Sequence, residues 1–524
     1  MGRYNLLCLI MFLSLALALF GCQSDDDDDN DDSDEIDDDV IDDDNDDTFI
    51  DDDDTETPLP NVLDVVIDPP REGNILSRKV HITTDIPCQL SGYVTTASES
   101  GYAPALEQAT TQSTSHTLTF AGLLEKRLFR VTIHLAGTPG TALATATFTT
   151  PEIPSYAPQP ISVVNSDATD PSSWIAISIN TNNYQGWVSD RRGAVIMLDR
   201  EGRVRFYHRT QDAPTMGLQV FSNGDLCIND SHDVWGIRPD GSDYLMFELD
   251  ALEERVLTAA HHQHHVNDYD AETGLILFNL FGPGYECDMT TPTDKAVGDG
   301  VAEFDRDGNT LWYWTVFQHS DELPQEEMDP FHCHVPFWGV GTIDYTHGNK
   351  VHPTPDEDTF LLSMRHLHRI IKIDRTTGEI IWQLGDGLDF TWLGNEPVRD
   401  RWFYFQHDPL WLSDNRLLLF DNSNCRYGFN CFTNPWSRAL ELEIDEDNMT
   451  VRQVWEHRTD FSNSIGNCER LDNGNTFIVT GSGGHMVETT ADHVEIWEAD
   501  FFMLDVVSNG YTYPALWRYE DPPQ

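Results

Sequence analysis

Beyond position 60, apolar and polar residues alternate with a period of two over short runs, the spacing at which a β-strand buries one face. Six such runs lie between Asn61 and Thr150: Val62–Ile67, Lys79–Thr83, Leu90–Val94, His116–Phe120, Phe129–Ile133 and Ala144–Phe148. Pro and Gly turns separate them, which predicts a small antiparallel β-sandwich over residues 60–152. A Pro-rich linker, Pro151–Pro160, leads into a longer region where one unit recurs: an apolar strand ending in Asp, a turn, and a strand closing on an aromatic residue. The copies are Met197–Tyr207, Ile237–Phe247, Phe304–Trp312, Ile373–Trp382, Ile444–Trp455 and Leu504–Trp517. A second hairpin type is interleaved, with turns at Ser222–Leu226, Glu272–Ile276, Ser413–Leu417 and Asp472–Thr476. Two hairpins make four strands, the content of one propeller blade, so six copies predict an all-β chain with a six-bladed β-propeller over 153–524. An irregular β-sandwich with coincidental turns is the other arrangement able to give this pattern.

The first 60 residues follow a different rule. Arg3 precedes an apolar run, Leu6 to Phe20, too short for an ordinary membrane span. It ends in Leu19-Phe20-Gly21-Cys22, similar to the bacterial lipobox, which implies a lipoprotein signal peptide over 1–21 and lipid on Cys22. By analogy with lipoprotein sorting, Gln23 favours the outer membrane, with the periplasmic face and the cell surface both open. Residues 22–59 are then expected to form an acidic tether. Between Asp25 and Glu56 there are 22 acidic residues and no basic one, and removing them takes the net charge from −59 to −37. Such a tract repels itself and has no apolar surface to bury; no Gly-punctuated calcium-loop spacing appears in it. With 31 Lys and Arg against 90 Asp and Glu, phosphate neutralisation cannot drive binding, so nucleic acid is excluded as a partner. Oligomeric state, a homodimer included, is left open. Of nine cysteines, Cys425 and Cys431 bracket a short loop and are the best disulfide candidates in an exported chain.

Function in a propeller belongs to the loops around the central axis, and five stretches expected there are rich in imidazole. They are His261-His262-Gln263-His264-His265, His332-Cys333-His334, Asp344–Asn349, Arg365-His366-Leu367-His368 and Gln406-His407-Asp408. Histidines from separate blades could gather a zinc or iron ion, but no His-Glu-x-x-His helix or Cys-x-x-Cys pair occurs, and no metal is assigned. No Walker loop or dinucleotide fingerprint is present, so no cofactor is expected. Trp392 and Trp402 are expected to pack rather than line a pocket.

At these residues the chain resembles the bacterial aryl-sulfate sulfotransferases, the arylsulfotransferase family that works without a nucleotide sulfate donor. The carrying stretches are Asp344–Asn349, Asp358–His366, Ile370–Gly385, Gln406–Asp408, Leu417–Asn422, Ser437–Asp445 and Val451–Trp455, within a resemblance running from about Trp187 to Trp455. The resemblance implies a six-bladed propeller behind a small β-sandwich, and His116–Leu124 with Phe129–Val131 is similar to the corner of a fibronectin type III-like module. It also implies transfer of a sulfuryl group from a phenolic sulfate ester to a phenolic acceptor through a sulfohistidine. His407 would be the nucleophile, suited to the step because imidazole is largely neutral near pH 7 and leaves readily. Asp408 would hold its tautomer or else face outward. His347 and Asn349 would hydrogen-bond sulfuryl oxygens, and Arg365 would bind them with its planar fork. Its bland alternative is a structural salt bridge. His366 would lie beside the substrate. The family's remaining His falls in a stretch that departs here, His264-His265-Val266-Asn267-Asp268, from which His265, with His264 next, is chosen as the acid/base for the departing phenolate.

Two other functions use the same features. Water in place of the phenol would make the chain an aryl sulfate hydrolase. A silent, surface-anchored propeller would use its axis only to bind an anionic or aromatic ligand.

Overall fold

The computed structural model describes residues 58–524, except 72, 155–156, 167, 183–190, 210–215, 230–232, 249–258, 267–269, 285–294, 330–341, 357, 395–400, 413–414, 427–435 and 502–504. Within strands, the side chains of 180–182, 191–192, 216, 259–266, 505–506 and 508–509 also fall outside the description. The expected signal peptide, Cys22, the acidic tract up to 57, His332-Cys333-His334 and Cys431 therefore lie outside the described residues. By internal contacts the chain divides into Met1–Pro58 and Leu59–Gln524, and every described sheet lies in the second unit. Among the described residues the structure is all β, its helical segments being short 3-10 turns, and no helix is long and apolar enough to cross a membrane.

Seven strands come first. Val62–Ile67, Arg78–Cys88 and Ser113–Phe120 form one antiparallel sheet; Glu99–Pro104, Leu90–Thr96, Leu128–Leu135 and Ala142–Thr149 form the other. Burial alternates residue by residue along Arg78–Cys88, and Val80, Ile82, Leu118, Val94, Phe129 and Val131 share one core. The strand Glu99–Pro104 went unread in the sequence because its Glu-Ser-Gly-Tyr start carries no apolar alternation.

Six further four-stranded antiparallel sets follow among the described residues, three of them extended by an added strand. Their second strands are near-continuous apolar runs, such as Thr359–Met364 and Leu226–Asn229, buried along their whole length. A strand packed on both faces has no reason to alternate. The first strands of the sets touch in cyclic order: Met216–Val220, Ala259–Val266, Gly348–Pro353, His407–Leu412, Asn467–Arg470, Asp505–Pro514, and back to Met216–Val220.

One expected hairpin is misplaced. Leu504–Trp517 is not a strand-turn-strand unit: Asp505–Pro514 is a single strand, paired with Ser173–Asn182 as the first strand of the set that also holds Arg191–Leu198 and Val204–Arg209. The hairpin that belongs in the last set is His485–Thr489 with Glu495–Asp500, extended by Ser162–Asn165 from the start of the region. Its turn contains no Gly, so the turn signal was missing, while Asp505 and Gly510 mimicked one inside a strand.

The two β regions are stapled together. Tyr102 and Arg518 exchange backbone hydrogen bonds of 2.9 and 2.6 Å. The fully buried Arg205 lies over Trp174 and Trp517, bonds Asp199 at 2.7 Å and pairs with Glu99 of the sandwich. Both regions belong to the one compact unit Leu59–Gln524.

Candidate functional site

The chemistry-bearing residues collect where first strands begin and second strands end, in the fourth and fifth sets. Gly348–Pro353 contributes Asn349, and a 3-10 turn after Thr359–Met364 contributes Arg365 and His366. His407 opens His407–Leu412, and Asn422 follows Arg416–Asp421. An irregularity in pairing between His407 and Leu410, with left-handed φ of 55° at Phe405 and 49° at Asp408, turns the strand start inward.

His407 is buried, and both ring nitrogens are engaged. Nδ1 lies 2.6 Å from Asn422 Oδ1 and 3.2 Å from the Phe405 carbonyl, while Nε2 lies 3.2 Å from the Ile465 main-chain nitrogen. The Asn422 amide donates its Nδ2 hydrogens to the carbonyls of Ser462 and Ile465, so its oxygen faces His407. The imidazole therefore carries its proton on Nδ1 and presents Nε2 as a base. Burial, with Arg365 and His347 nearby, holds this imidazole well below its ordinary 6.5, against the opposing hydrogen bonds to Asn422 and Phe405. The ring is therefore neutral across the physiological range.

Arg365 is also buried, and its charge has no carboxylate partner among the described residues. Nη1 donates to His366 Nε2 at 3.0 Å, Nη2 to the Asn463 carbonyl at 2.9 Å, and the guanidinium lies 4.8 Å from the Phe405 ring centre. Its Nε has no partner among the described residues. Burial pushes its pKa down to about 10, offset in part by Asp344 and Asp329, so it stays charged. A salt bridge is not what this arginine makes; its unmatched charge suits an anion.

His366 donates from Nδ1 to the Asp344 carbonyl at 2.7 Å and accepts from Arg365 on Nε2, so it holds the guanidinium. His368 accepts from the Phe405 N–H on Nδ1 at 3.0 Å and donates from Nε2 to Asp329 at 3.0 Å, fixing the platform under Arg365. His347, half-buried at φ 48°, gives its Nδ1 proton to Asp344 at 2.6 Å and stacks on His366 at 4.5 Å. Its turn is gripped by Asp299, which accepts from the Thr346 hydroxyl and from the Gly348 N–H at 2.5 Å. A Cβ on Gly348 would stand 2.8 Å from the Asp299 carboxyl carbon. Asn349 donates 2.7 Å to the Gln406 carbonyl, and its Oδ1 is buried without a partner among the described residues.

Ligand-type atoms of Asp344, His347 and His366 lie within 4.8 Å of one another. They do not fit a metal: both ring nitrogens of His366 are bonded, to the Asp344 carbonyl and to Arg365, Asp344 Oδ2 is bonded to His347 Nδ1, and a cation there would face the Arg365 guanidinium.

A sequence model of the arylsulfotransferase (ASST) family matches residues 155–506, more than half of the chain. The chain belongs to that family. Membership supports aryl sulfotransferase activity in general, with an aryl sulfate donor and a phenol acceptor. No curated protein matches the chain. Among solved structures, a protein of unknown function from Bacteroides caccae is 10% identical with a TM-score of 0.37, covering 65% of this chain and 99% of its own. TolB from Acinetobacter baumannii is 10% identical with a TM-score of 0.34, covering 74% of this chain and 80% of its own. The periplasmic gluconolactonase PpgL of Pseudomonas aeruginosa is 10% identical with a TM-score of 0.34, covering 82% of this chain and 99% of its own.

In this arylsulfotransferase-family chain, His347, Asn349, Arg365, His366 and His407 come together. Asp408 does not hold the His407 tautomer: it pairs with Lys350 at 2.7 Å, and Asn422 takes that role. His264 and His265 lie on Ala259–Val266, paired with Ile276 and Leu275, and their side chains are outside the description. In that register Ala259 stands opposite Asn279, which bonds Asp299 at 2.7 Å, so the start of the strand is level with the His347 turn. Trp392 and Trp402 pack on each other at 5.2 Å. Asn422, Asp344, Asp299, Phe405 and Ile465 were not singled out from sequence; Asn422 and Asp344 stood inside family-like stretches, whereas Asp299 and Ile465 carry no sequence signal.

Proposed function

We propose that this chain transfers a sulfuryl group from a phenolic sulfate ester to a phenol by way of a sulfohistidine on His407. The observation that carries the reading is a buried, neutral His407, its proton fixed on Nδ1 by Asn422, beside a buried Arg365 with no carboxylate partner among the described residues. Nε2 attacks sulfur and the phenolate departs; Arg365 and the donors around it balance the charge on the sulfuryl oxygens, and the acceptor phenol then reverses the step. Asn349 acts at least through the Gln406 carbonyl, which it holds next to the nucleophile. The acid for the leaving phenolate comes from His347 or, as the family resemblance implies, from His265 with His264 next. The cyclic contact of the six first strands supports a six-bladed propeller, and the seven-stranded pair of sheets supports a fibronectin III-like module before it.

The same reading places the enzyme on a lipid anchor at Cys22, held off the outer membrane by the acidic tether, with Cys425 and Cys431 joined. The deciding experiment exposes the full chain to a chromogenic aryl sulfate without acceptor and measures intact mass. One added sulfuryl group mapping to His407 is expected; a folded chain that gains none, and transfers none to phenol, refutes the proposal. If phenol is present and only free sulfate appears, the reaction is hydrolysis.

A further inference from the structure

The turn Ser462–Gly466, between the fifth and sixth sets, touches both the Arg365 guanidinium and the His407 ring. Asn463 accepts from Arg365 through its carbonyl at 2.9 Å, and the Ile465 N–H points at His407 Nε2 from 3.2 Å. The turn is over-determined. Asn422 Nδ2 grips the Ser462 and Ile465 carbonyls at 3.0 and 2.9 Å, the Ser437 hydroxyl accepts from Ser462 N at 2.9 Å, and Ser482 N donates to the Ser464 carbonyl at 3.2 Å. Such support is needed because Ile465, a β-branched residue, has φ of 61°, which L side chains of that shape avoid. Gly481 makes the close approach feasible: a Cβ there would stand 2.6 Å from the Ile465 carbonyl carbon and 2.7 Å from Gly466 N.

We propose that the Ile465 main-chain N–H is a working part of the sulfuryl-transfer site, capping the His407 Nε2 lone pair at rest and donating to a sulfuryl oxygen once the N–S bond forms. The inference rests on the sulfohistidine reading. In the step, the Nε2 lone pair makes the N–S bond, the S–O bond to the phenol breaks, and its electrons leave on the phenol oxygen, which takes a proton from the site acid or from water. Nδ1 keeps its proton throughout, on Asn422 Oδ1. The N–H can no longer bond a nitrogen whose lone pair is spent, and the nearest acceptors become the oxygens on the attached sulfur. A neutral hydrogen bond at rest is thereby exchanged for a charge-assisted one, roughly twice as strong, which favours the transition state over the resting state. Gln406–His407 and the Ser462–Gly466 turn thus act as two jaws, one carrying the nucleophile and the other a preorganised donor.

The test replaces the Ile465 amide by an ester in the full chain, using the α-hydroxy acid counterpart of isoleucine, which deletes the N–H and leaves the side chain. Sulfuryl-adduct formation with a chromogenic aryl sulfate is followed by rapid quench and mass spectrometry across pH. Besides the N–H, His407 is faced by Arg365, His347 and the neutral Asn422, all unchanged. Losing the cap removes a bond to the neutral ring, so the acid limb of the profile moves to higher pH, while the plateau rate falls roughly 10²-fold. These effects oppose each other in sign for a simple change of basicity, since a more basic imidazole should react faster. A plateau equal to or above that of the unaltered chain overturns the proposal, as does an unmoved acid limb. Gly481→Ala, which pushes the turn off His407, is expected to lower the plateau in the same way and stands in if the ester chain does not fold. Failure of the unaltered chain to form any adduct refutes the sulfohistidine reading and this inference with it; adduct formation with an unchanged ester variant refutes this inference alone.

Discussion

Arg365 lies with its guanidinium 4.8 Å from the centre of the Phe405 ring, and its nitrogens reach His366 and the Asn463 carbonyl. A planar cation stacked on one side and hydrogen-bonded along its edge is held in a single orientation, which an ammonium on a flexible stem cannot reproduce. Arg365→Lys keeps the charge and loses the fork. Its kcat/KM for an aryl sulfate is expected to fall about 100-fold or more, and steady-state kinetics with a chromogenic donor measure it. A loss under threefold would mean that charge alone suffices.

The pH dependence of stability contains opposing terms. Burial, aided by Lys350, pushes His352 down to about 3, so the unfolded chain takes up a proton below 6.5 that the folded chain refuses. Stability from this residue is complete above 6.5 and is lost as pH falls toward 3. Glu469 works the other way: burial raises it to about 7 from 4.5, against hydrogen bonds from Thr512, so its term is complete below 4.5 and lost as pH rises through 7. The two partly cancel in the whole protein, so single variants are needed to read them. His352→Gln should lose less stability than the unaltered chain on going from pH 7 to pH 5, and Glu469→Gln less on going from pH 5 to pH 8, each by roughly 1 kcal/mol per unit crossed. Urea midpoints at those pH values decide; an unchanged slope in either variant removes that residue's term.

Strand periodicity reveals these antiparallel strands well because each short run is bounded by a Gly or Asn turn, as at Ser222–Leu226 and Asp472–Thr476. It fails where a strand pairs with a distant part of the chain. Nothing local distinguishes Asp505–Pro514 as the partner of Ser173–Asn182, since that pairing answers to the ends of the region meeting rather than to any turn. The site divides in the same manner. His347, Arg365 and His407 announce themselves by residue type. Asn422 could be mistaken for any polar residue after a strand, and its role appears only when its two carbonyl partners at Ser462 and Ile465 orient the amide. Adjacency in sequence left the direction of Asp408 open, and across the irregular strand start a φ of 49° sends its carboxylate to Lys350 rather than to His407.

Asn422 gives the third prediction. Its Oδ1 is the acceptor that keeps the His407 proton on Nδ1, 2.6 Å away, and so leaves Nε2 free to attack. Asn422→Ala releases the tautomer and the turn together, and kcat should fall roughly 10²-fold or more with a smaller change in KM. Asn422→Asp keeps an acceptor but adds a negative charge beside a buried imidazole, which favours the charged ring and raises the His407 pKa. Its activity should recover toward the unaltered level as pH increases, a profile that Asn422→Ala cannot show. Parallel pH–rate curves for the two variants would argue that Asn422 serves packing alone.

Lys350 and Asp408, 2.7 Å apart and mostly buried, set the last prediction. Burial opposes the Lys350 charge, but Asp408 and Tyr511 outweigh it and hold the Lys350 pKa above its ordinary 10.5, so the ammonium stays charged. A buried pair of this kind adds little net stability, because bringing both charges out of water offsets most of their attraction. Breaking it is another matter. Lys350→Met leaves Asp408 with an uncompensated charge next to His407 and should cost about 3–5 kcal/mol. Lys350→Met with Asp408→Asn removes both charges and should regain most of that loss, a coupling that a double-mutant cycle on urea midpoints measures directly. If the double variant is as unstable as the sum of the singles, the two residues act independently and the strand start at His407 is held by its hydrogen bonds alone.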